Sequence, residues 1–551
     1  MSVLIVPPLD EDPWPTLGPQ IADLIEECCI FGPGSLKGQP AKLDAEKRAA
    51  LYRMYEVYPR GHRLAGRRRY KRCGISWRKG LAKTEFGAWI TFAELHPDGP
   101  VRCDGFDADG EPVGRPVVDP YIPMLAVTAE QVEELAYGAL YVMCTEGPDA
   151  DLFDATNERI IRLSPNGRAD GKAVPLANSP GSRDGARTTF QFFDEPHRLI
   201  LPRMIDAHET MVANLEKRVL EDPWGLYVGT AGEIGQGSIA EGLHEEAQQI
   251  DKGDIADPQL FYFHREASPG HDMKSLDERI SAVAEATGPV GEYGPGQFES
   301  IARQWDRPKA DKAYLERVWL NRWVKSARQA FDPARWDELG TADLIAPGSF
   351  ITWGFDGARY RDATAFVITD IPTGRQQPWA IWEKPLDWDD KNPGVRWEIP
   401  EQQVIDAIDQ IHAQMNVWRG YYDPFHWGEQ MKTAAGRYGD DVIVEWRTNR
   451  TQPMAWALRR YVEAQNGGTV TWTKVHPLGA QFADHMAASG RSDVNVWDDE
   501  GQRLFILEKI HPDRKFDAGM AATLSWEARL DALKAGAKPA AADLPPLLFS
   551  M

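Results

Sequence analysis

"TTFQFFDEPH", residues 188–197, is an apolar, β-prone run that ends in two adjacent acids, Asp194 and Glu195. A buried strand that delivers two carboxylates to its C-terminal tip is what magnesium-dependent nucleotide hydrolysis requires. Asp194 would sit in the Mg²⁺ shell and Glu195 would polarise the attacking water. A plain strand-to-turn transition with solvated acids is the alternative, and the choice between them depends on finding a phosphate loop elsewhere in the chain.

A partner lies upstream. "KRCGISWRKGLAKTEFGAWITFAEL" (71–95) reads as a short strand, a basic loop and a helix. A phosphate loop needs backbone N–H groups at a helix N-terminus, a lysine for the β/γ-phosphates and a hydroxyl for Mg²⁺. Lys83 and Thr84 supply the last two where the helix begins. Gly80 gives a flexible point, and Arg78 and Lys79 add positive charge. Ala82 stands where a glycine is usual, so the sequence reading requires φ to stay negative there. The nucleotide-binding set is then Arg78, Lys79, Gly80, Lys83, Thr84 and Asp194, with Gln39 in "GQPAKL" as the adenine candidate. "LYVGTAG" (226–232) is a further strand ending in a small polar loop. Thr230 and Gly232 there are candidates to sense the γ-phosphate and couple it to motion, although the same residues would also make an ordinary turn. For an arginine finger, Arg68, Arg69, Arg183 and Arg187 are all open.

The whole chain sets the frame. At 551 residues it is too long for one core. No apolar run approaches the ~20 residues of a bilayer span, and "MSVLIVPPLDEDPW" lacks the basic start and apolar core of a signal peptide. The five cysteines form no C-x-x-C pair, which argues against a zinc site or a disulfide framework and fits a reducing compartment. A net charge of −21 weighs against simple nucleic-acid binding. Against that, "RGHRLAGRRRYKR" (60–72) is strongly basic and directly precedes the phosphate loop, a place that favours a functional role over a solvated face.

Strands alternating with helices indicate an α/β domain with a largely parallel sheet over residues 1–335, with a helical N-terminal entry segment. "FDPARWDELGTADLIAPGS" reads as a connector. From 348 the pattern becomes a β-meander ("FITWGFDG", "DATAFVITD", "QPWAIWEKP") followed by helix–strand alternation to about 535. In it Asp356 and Asp423 end strands and Asp517 opens the last helix. Three or four converging carboxylates can hold two divalent metals, and oxygen ligands suit Mg²⁺ or Mn²⁺. Asp362 is either a fourth ligand or a turn acid. This order of acids and strands matches an RNase H-like nuclease. Residues 536–551 read as a flexible tail.

Taken together, "RKGLAKTE", "FQFFDEPH" and "GTAG" ahead of "GFDGARYRDAT", "YYDP" and "FDAGMA" resemble the large subunit of a tailed-bacteriophage terminase, over roughly residues 35–535. The resemblance implies that residues 1–335 are an ASCE-type P-loop ATPase, a motor that hydrolyses ATP to drive double-stranded DNA into a procapsid, and that the second domain is a metal-dependent endonuclease that cuts concatemeric DNA. It implies catalytic roles for Glu195, Asp356, Asp423 and Asp517. It also implies a homo-oligomeric ring on the portal protein, recruitment by a small terminase subunit, no membrane, and work in the host cytoplasm. A helicase-like or repair ATPase fused to a nuclease, and an inert portal-binding scaffold, are the competing readings.

Overall fold

The computed structural model describes residues 2–126, 136–177, 186–308, 310–325, 329–360, 362–385, 388, 397–510 and 514–539. The chain divides into two compact units, Met1–Lys325 and Ser326–Met551. Arg183 and the tail beyond Pro539 lie outside the described residues.

The first unit is built on a nine-stranded sheet. In space its order is Ser2–Val6, Leu260–Glu266, Arg72–Ser76, Trp224–Gly229, Phe190–Asp194, Tyr121–Ala126, Ala169–Ala177, Ile160–Leu163 and Phe153–Ala155. The six strands from Leu260–Glu266 to Ala169–Ala177 are parallel. Ser2–Val6 at one edge and Ile160–Leu163 near the other run antiparallel to them, and Phe153–Ala155 pairs antiparallel with Ile160–Leu163. The strand Trp224–Gly229 lies between the phosphate-loop strand and the acid strand, which is the ASCE arrangement. Its residues, like those of Phe190–Asp194, are buried throughout, as expected of strands covered on both faces. The helix Lys83–Leu95 lies close against the acid strand because of Gly87: a Cβ there would stand 2.2 Å from Phe192 Cε2.

One expectation for this unit changes. The entry segment is not purely helical: Ser2–Val6 is an edge strand ahead of the helices Gly18–Cys28 and Ala45–Met54. Its partner, Leu260–Glu266, is nearly all buried.

The second unit holds a seven-stranded mixed sheet. Phe350–Gly357, Thr364–Asp370 and Arg375–Trp382 form the antiparallel meander. Asn416–Tyr422 then adds parallel to Phe350–Gly357, and Ile443–Glu445 adds beyond it. This is the RNase H-like order. Period-two alternation places Ile351, Trp353 and Phe355 in the core on one face. Thr352, Gly354 and Asp356 face the other way, toward the helix Asp517–Lys534. At Gly354 an added Cβ would lie 2.0 Å from Ala521 O and 2.5 Å from Ser525 N. Thr352 Oγ1 donates to Ser525 O at 2.8 Å. The helix is thereby drawn onto the strand, with Asp517 at its start. The stretch read as a connector is part of this unit: Pro333–Glu338 is a helix, and Phe331 and Trp336 belong to the core.

Candidate active sites

The phosphate-loop residues gather at the C-terminal ends of the parallel strands. Lys83 and Thr84 open the helix that follows Arg72–Ser76. Lys83 is buried and its Nζ donates to Arg78 O at 3.1 Å. Thr84 Oγ1 lies 3.3 Å and 3.5 Å from the two Asp194 carboxylate oxygens, across 110 residues of sequence. The hydroxyl and the acid that would share one Mg²⁺ therefore meet. The requirement for a negative φ at Ala82 is overturned. Ala82 adopts φ +52°, ψ +39° and Gly80 φ +86°. The loop keeps a glycine-like path and accepts the Cβ crowding, which costs roughly 1–2 kcal/mol for a left-handed residue.

Glu195 is also left-handed, at φ +51°, ψ +54°. Its N–H donates to Val228 O at 2.8 Å, which pins the turn to the next strand. His197 Nδ1 is 3.0 Å from Glu195 Oε2, although off the line of a good hydrogen bond, since no acceptor is aligned with it. Burial opposes ionisation of Glu195, but His197, Lys83 and Arg198 outweigh it and hold the carboxyl below its usual range. Asp194 is pushed the other way, by burial and then by the Glu195 charge. The negative charge is thus favoured on Glu195, the residue expected from the sequence to orient water. A divalent cation at Thr84 and Asp194 would reverse the bias on Asp194, so the donor set fits Mg²⁺.

The other residues around the loop are placed differently. Arg78 is fully buried; its Nε donates to Thr287 Oγ1 at 2.5 Å and its Nη1 to Lys79 O at 2.6 Å. It braces the loop. Lys79 is exposed, and its N–H donates to Val318 O at 2.8 Å. A cavity of about 590 Å³ beside the loop is lined by Phe31, Lys47, Ala82, Trp89 and Tyr293. Gln39 is exposed and not among its lining residues; its backbone carbonyl receives Phe31 N–H at 2.9 Å. Thr230 is buried, and Gly232 packs beside Trp323 and His197.

The second half of the basic stretch is held in internal pairs, whereas Arg60 and Arg63 in its first half are exposed. Arg69 pairs with Asp10 and Glu56, Lys71 with Asp222, and Arg72 with Glu246 and Asp257. Arg68 donates to Met54 O at 2.6 Å and lies over the Trp224 ring. Arg187 lines a separate groove of about 850 Å³ with Tyr121 and Lys172, at the opposite end of the strands from Asp194.

In the second unit the sheet and the helix Asp517–Lys534 bring Asp423 and Asp517 near enough for their charges to act on Asp356, although the ligand atoms of the three do not all lie within 4.8 Å of one another. Burial pushes Asp356 well up, and the charges of Asp517, Asp423 and Asp362 add to it. Asp517 is pushed up to about 6, chiefly by burial, against the opposing charge of His485. Asp423 is raised by burial although Thr448 Oγ1 donates to it at 2.9 Å. Asp517 Oδ2 is buried without a hydrogen-bond partner. An orphaned carboxylate oxygen among mutually repelling acids fits a divalent cation, which would satisfy both. Asp362 is placed differently: Lys509 and Lys515 Nζ both donate to its Oδ1, the latter at 3.1 Å, and they hold its carboxyl down against burial. His485, Thr448, Lys509 and Lys515 were missed in the sequence because no local pattern links them to the acids.

One trio of possible metal ligands among the described residues has all its ligand atoms within 4.8 Å: Cys28, His96 and Asp149. His96 Nδ1 accepts Asp98 N–H at 3.1 Å, which leaves the ring proton on Nε2, 3.2 Å from Asp149 Oδ2. That tautomer makes a hydrogen-bonded cluster and opposes a metal at Nε2.

No family model matches the sequence. The chain is 25% identical over 500 residues to the gene 13 protein of Mycobacterium phage L5, covering 83% of this chain and 79% of that one. Its neighbours among solved structures are large terminases of tailed phages. The large terminase of bacteriophage HK97 is 17% identical with a TM-score of 0.49, over 93% of this chain and 100% of that one. The large terminase of a thermophilic bacteriophage, solved in complex with ADP, is 11% identical with a TM-score of 0.30, over 83% and 94%. At these values the likeness decides nothing about activity, and strand order and site geometry carry the reading. No helix among the described residues is long and apolar enough to cross a membrane.

Proposed function

We propose that the chain is the large subunit of a phage terminase, an ATPase that translocates double-stranded DNA into a procapsid and a metal-dependent endonuclease that cuts it. The observation that carries the ATPase half is the meeting of Thr84 with the Asp194 carboxylate beside Lys83 and an ionised Glu195. Lys83 would hold the β/γ-phosphates, and Glu195 would orient water in line with the γ-phosphate. Thr84 and Asp194 would hold Mg²⁺, which would supply positive charge beside the phosphates. For the nuclease, Asp356, Asp423 and Asp517 would hold Mg²⁺ or Mn²⁺, which activates water and offsets the leaving oxygen's charge. Asp362 would stand beside them as a salt-bridged neighbour. Thr230 and Gly232 would pass the state of the ATP site onward. The partners of this reading are DNA, the portal protein, the small terminase subunit and further copies of the chain in a ring, all in the host cytoplasm.

The test is direct. Purified full-length protein should hydrolyse ATP in Mg²⁺, faster with DNA present, and should nick plasmid DNA in Mn²⁺ or Mg²⁺ but not in EDTA. Absence of both activities in folded protein overturns the proposal.

A further inference from the structure

We propose that Arg317 contacts the γ-phosphate within its own chain and is a catalytic residue of the ATPase; the inference rests on the ATPase reading above. Arg317 belongs to the last turn of the helix Lys312–Leu320. That turn is tied to the phosphate loop, because Val318 O accepts Lys79 N–H at 2.8 Å. The helix ends at Asn321, fully buried and left-handed at φ +52°. Asn321 Nδ2 donates to Ser76 O at 3.0 Å and Arg265 O at 2.8 Å, and its Oδ1 accepts Ala231 N–H at 2.8 Å. Ser76 ends the phosphate-loop strand, and Ala231 lies between Thr230 and Gly232. The turn that carries Arg317 is therefore fixed against both loops that would surround a γ-phosphate.

Arg317 itself is left without a counter-charge. Its Nε is buried without a hydrogen-bond partner. Among the described residues its recorded neighbours are the Tyr314 ring, 5.4 Å from the guanidinium, and His197, on which its charge acts. His197 is the side chain 3.0 Å from Glu195. A guanidinium that is part-buried and unpaired beside such a loop lacks what a triphosphate supplies: negative charge and several acceptor oxygens in planar reach. Among the other arginines near the site, Arg322 is held by Ala267, Ser268 and Glu316, and Arg78 donates through Nε to Thr287 and through Nη1 to Lys79, with only its Nη2 buried and unpartnered. Arg198 is exposed and stands as the rival.

The experiment uses the full chain with Arg317→Ala, Arg317→Lys and Arg198→Ala, and measures ATP turnover together with affinities for ADP and ATPγS. Arg317→Ala should cut turnover by about 10³-fold or more, as loss of an arginine finger does. It should also weaken ATPγS binding about tenfold while ADP binding stays within about twofold. Arg317→Lys should restore much of the ATPγS affinity and little of the rate. Equal losses of ADP and ATPγS affinity would mean a structural role only and overturn the proposal, as would turnover within about tenfold of wild type. Loss in Arg198→Ala alone would assign the role to Arg198. A wild-type chain that discriminates neither nucleotide and turns over no ATP would instead sink the ATPase reading, and this inference with it.

Discussion

Two non-glycine residues in the ATP site, Ala82 and Glu195, hold left-handed backbone. Such strain persists where the surroundings over-determine it. At Ala82 the phosphate loop needs the path and gains nothing from the methyl group. Ala82→Gly should therefore raise stability by up to about 1 kcal/mol, the steric relief less glycine's entropy, with ATP turnover within about twofold; thermal unfolding and a phosphate-release assay check both. At Glu195 the side chain is the point. Glu195→Gln should bind ATP and hydrolyse it 10²–10⁴-fold more slowly, the typical worth of general-base help. Unchanged turnover would remove Glu195 from the mechanism. Asp517 makes a pH prediction. Its folded carboxyl is raised to about 6, against roughly 3.9 unfolded. A raised carboxyl favours the protonated folded state, so its contribution is present below about pH 4 and is lost as pH climbs to 6. Without metal, Asp517→Asn should be more stable than wild type at pH 8, by up to about 2–3 kcal/mol, and less so at pH 4. Added Mn²⁺ should stabilise wild type more than the variant.

Between strand and helix, Gly354 is the point of closest approach in the second unit. Gly354→Ala would drive a methyl into the backbone of the helix Asp517–Lys534. The expected cost is about 1–3 kcal/mol, as for overpacked cores, with loss of DNA cutting because Asp517 moves from Asp356. ATP turnover should persist, and urea unfolding with plasmid nicking reads both. This scale also shows what the sequence disclosed. The helix Lys83–Leu95 and the strand Phe190–Asp194 were legible because a local pattern, apolar run then polar tip, states them. The strand-end positions of the acids at 194, 195, 356 and 423 were legible for the same reason, and that of Asp517 from the helix it opens. The roles of Arg68 to Arg72 were not, since the acids that bind them lie at 10, 56, 222, 246 and 257. Leu260–Glu266 was hidden by its polar residues: Ser76 and Glu46 partner His264 and Arg265 from distant segments, and Glu266 pairs with His264 itself. Asn321 and Arg317 carry no motif at all; only the packing of their helix against the loop distinguishes them.

Across the whole molecule, the two sets of chemical groups occupy separate compact units. Lys83→Ala should therefore abolish ATP turnover and leave plasmid nicking within about threefold of wild type. Parallel loss of both in a folded variant would count against two independent sites. The large sheet has a further consequence, in the time dimension. Ser2–Val6 pairs with Leu260–Glu266, and Arg72–Ser76 is flanked by strands that begin at Trp224 and Leu260. At about 5–20 residues per second of synthesis, the first strand leaves the ribosome roughly a quarter of a minute to nearly a minute before its neighbour exists. The phosphate-loop strand likewise waits with both of its edges open. The nascent chain therefore carries unpaired apolar strand edges throughout that interval, so expression yield should depend on holdase chaperones and on slower growth temperature more than on the stability of the finished protein.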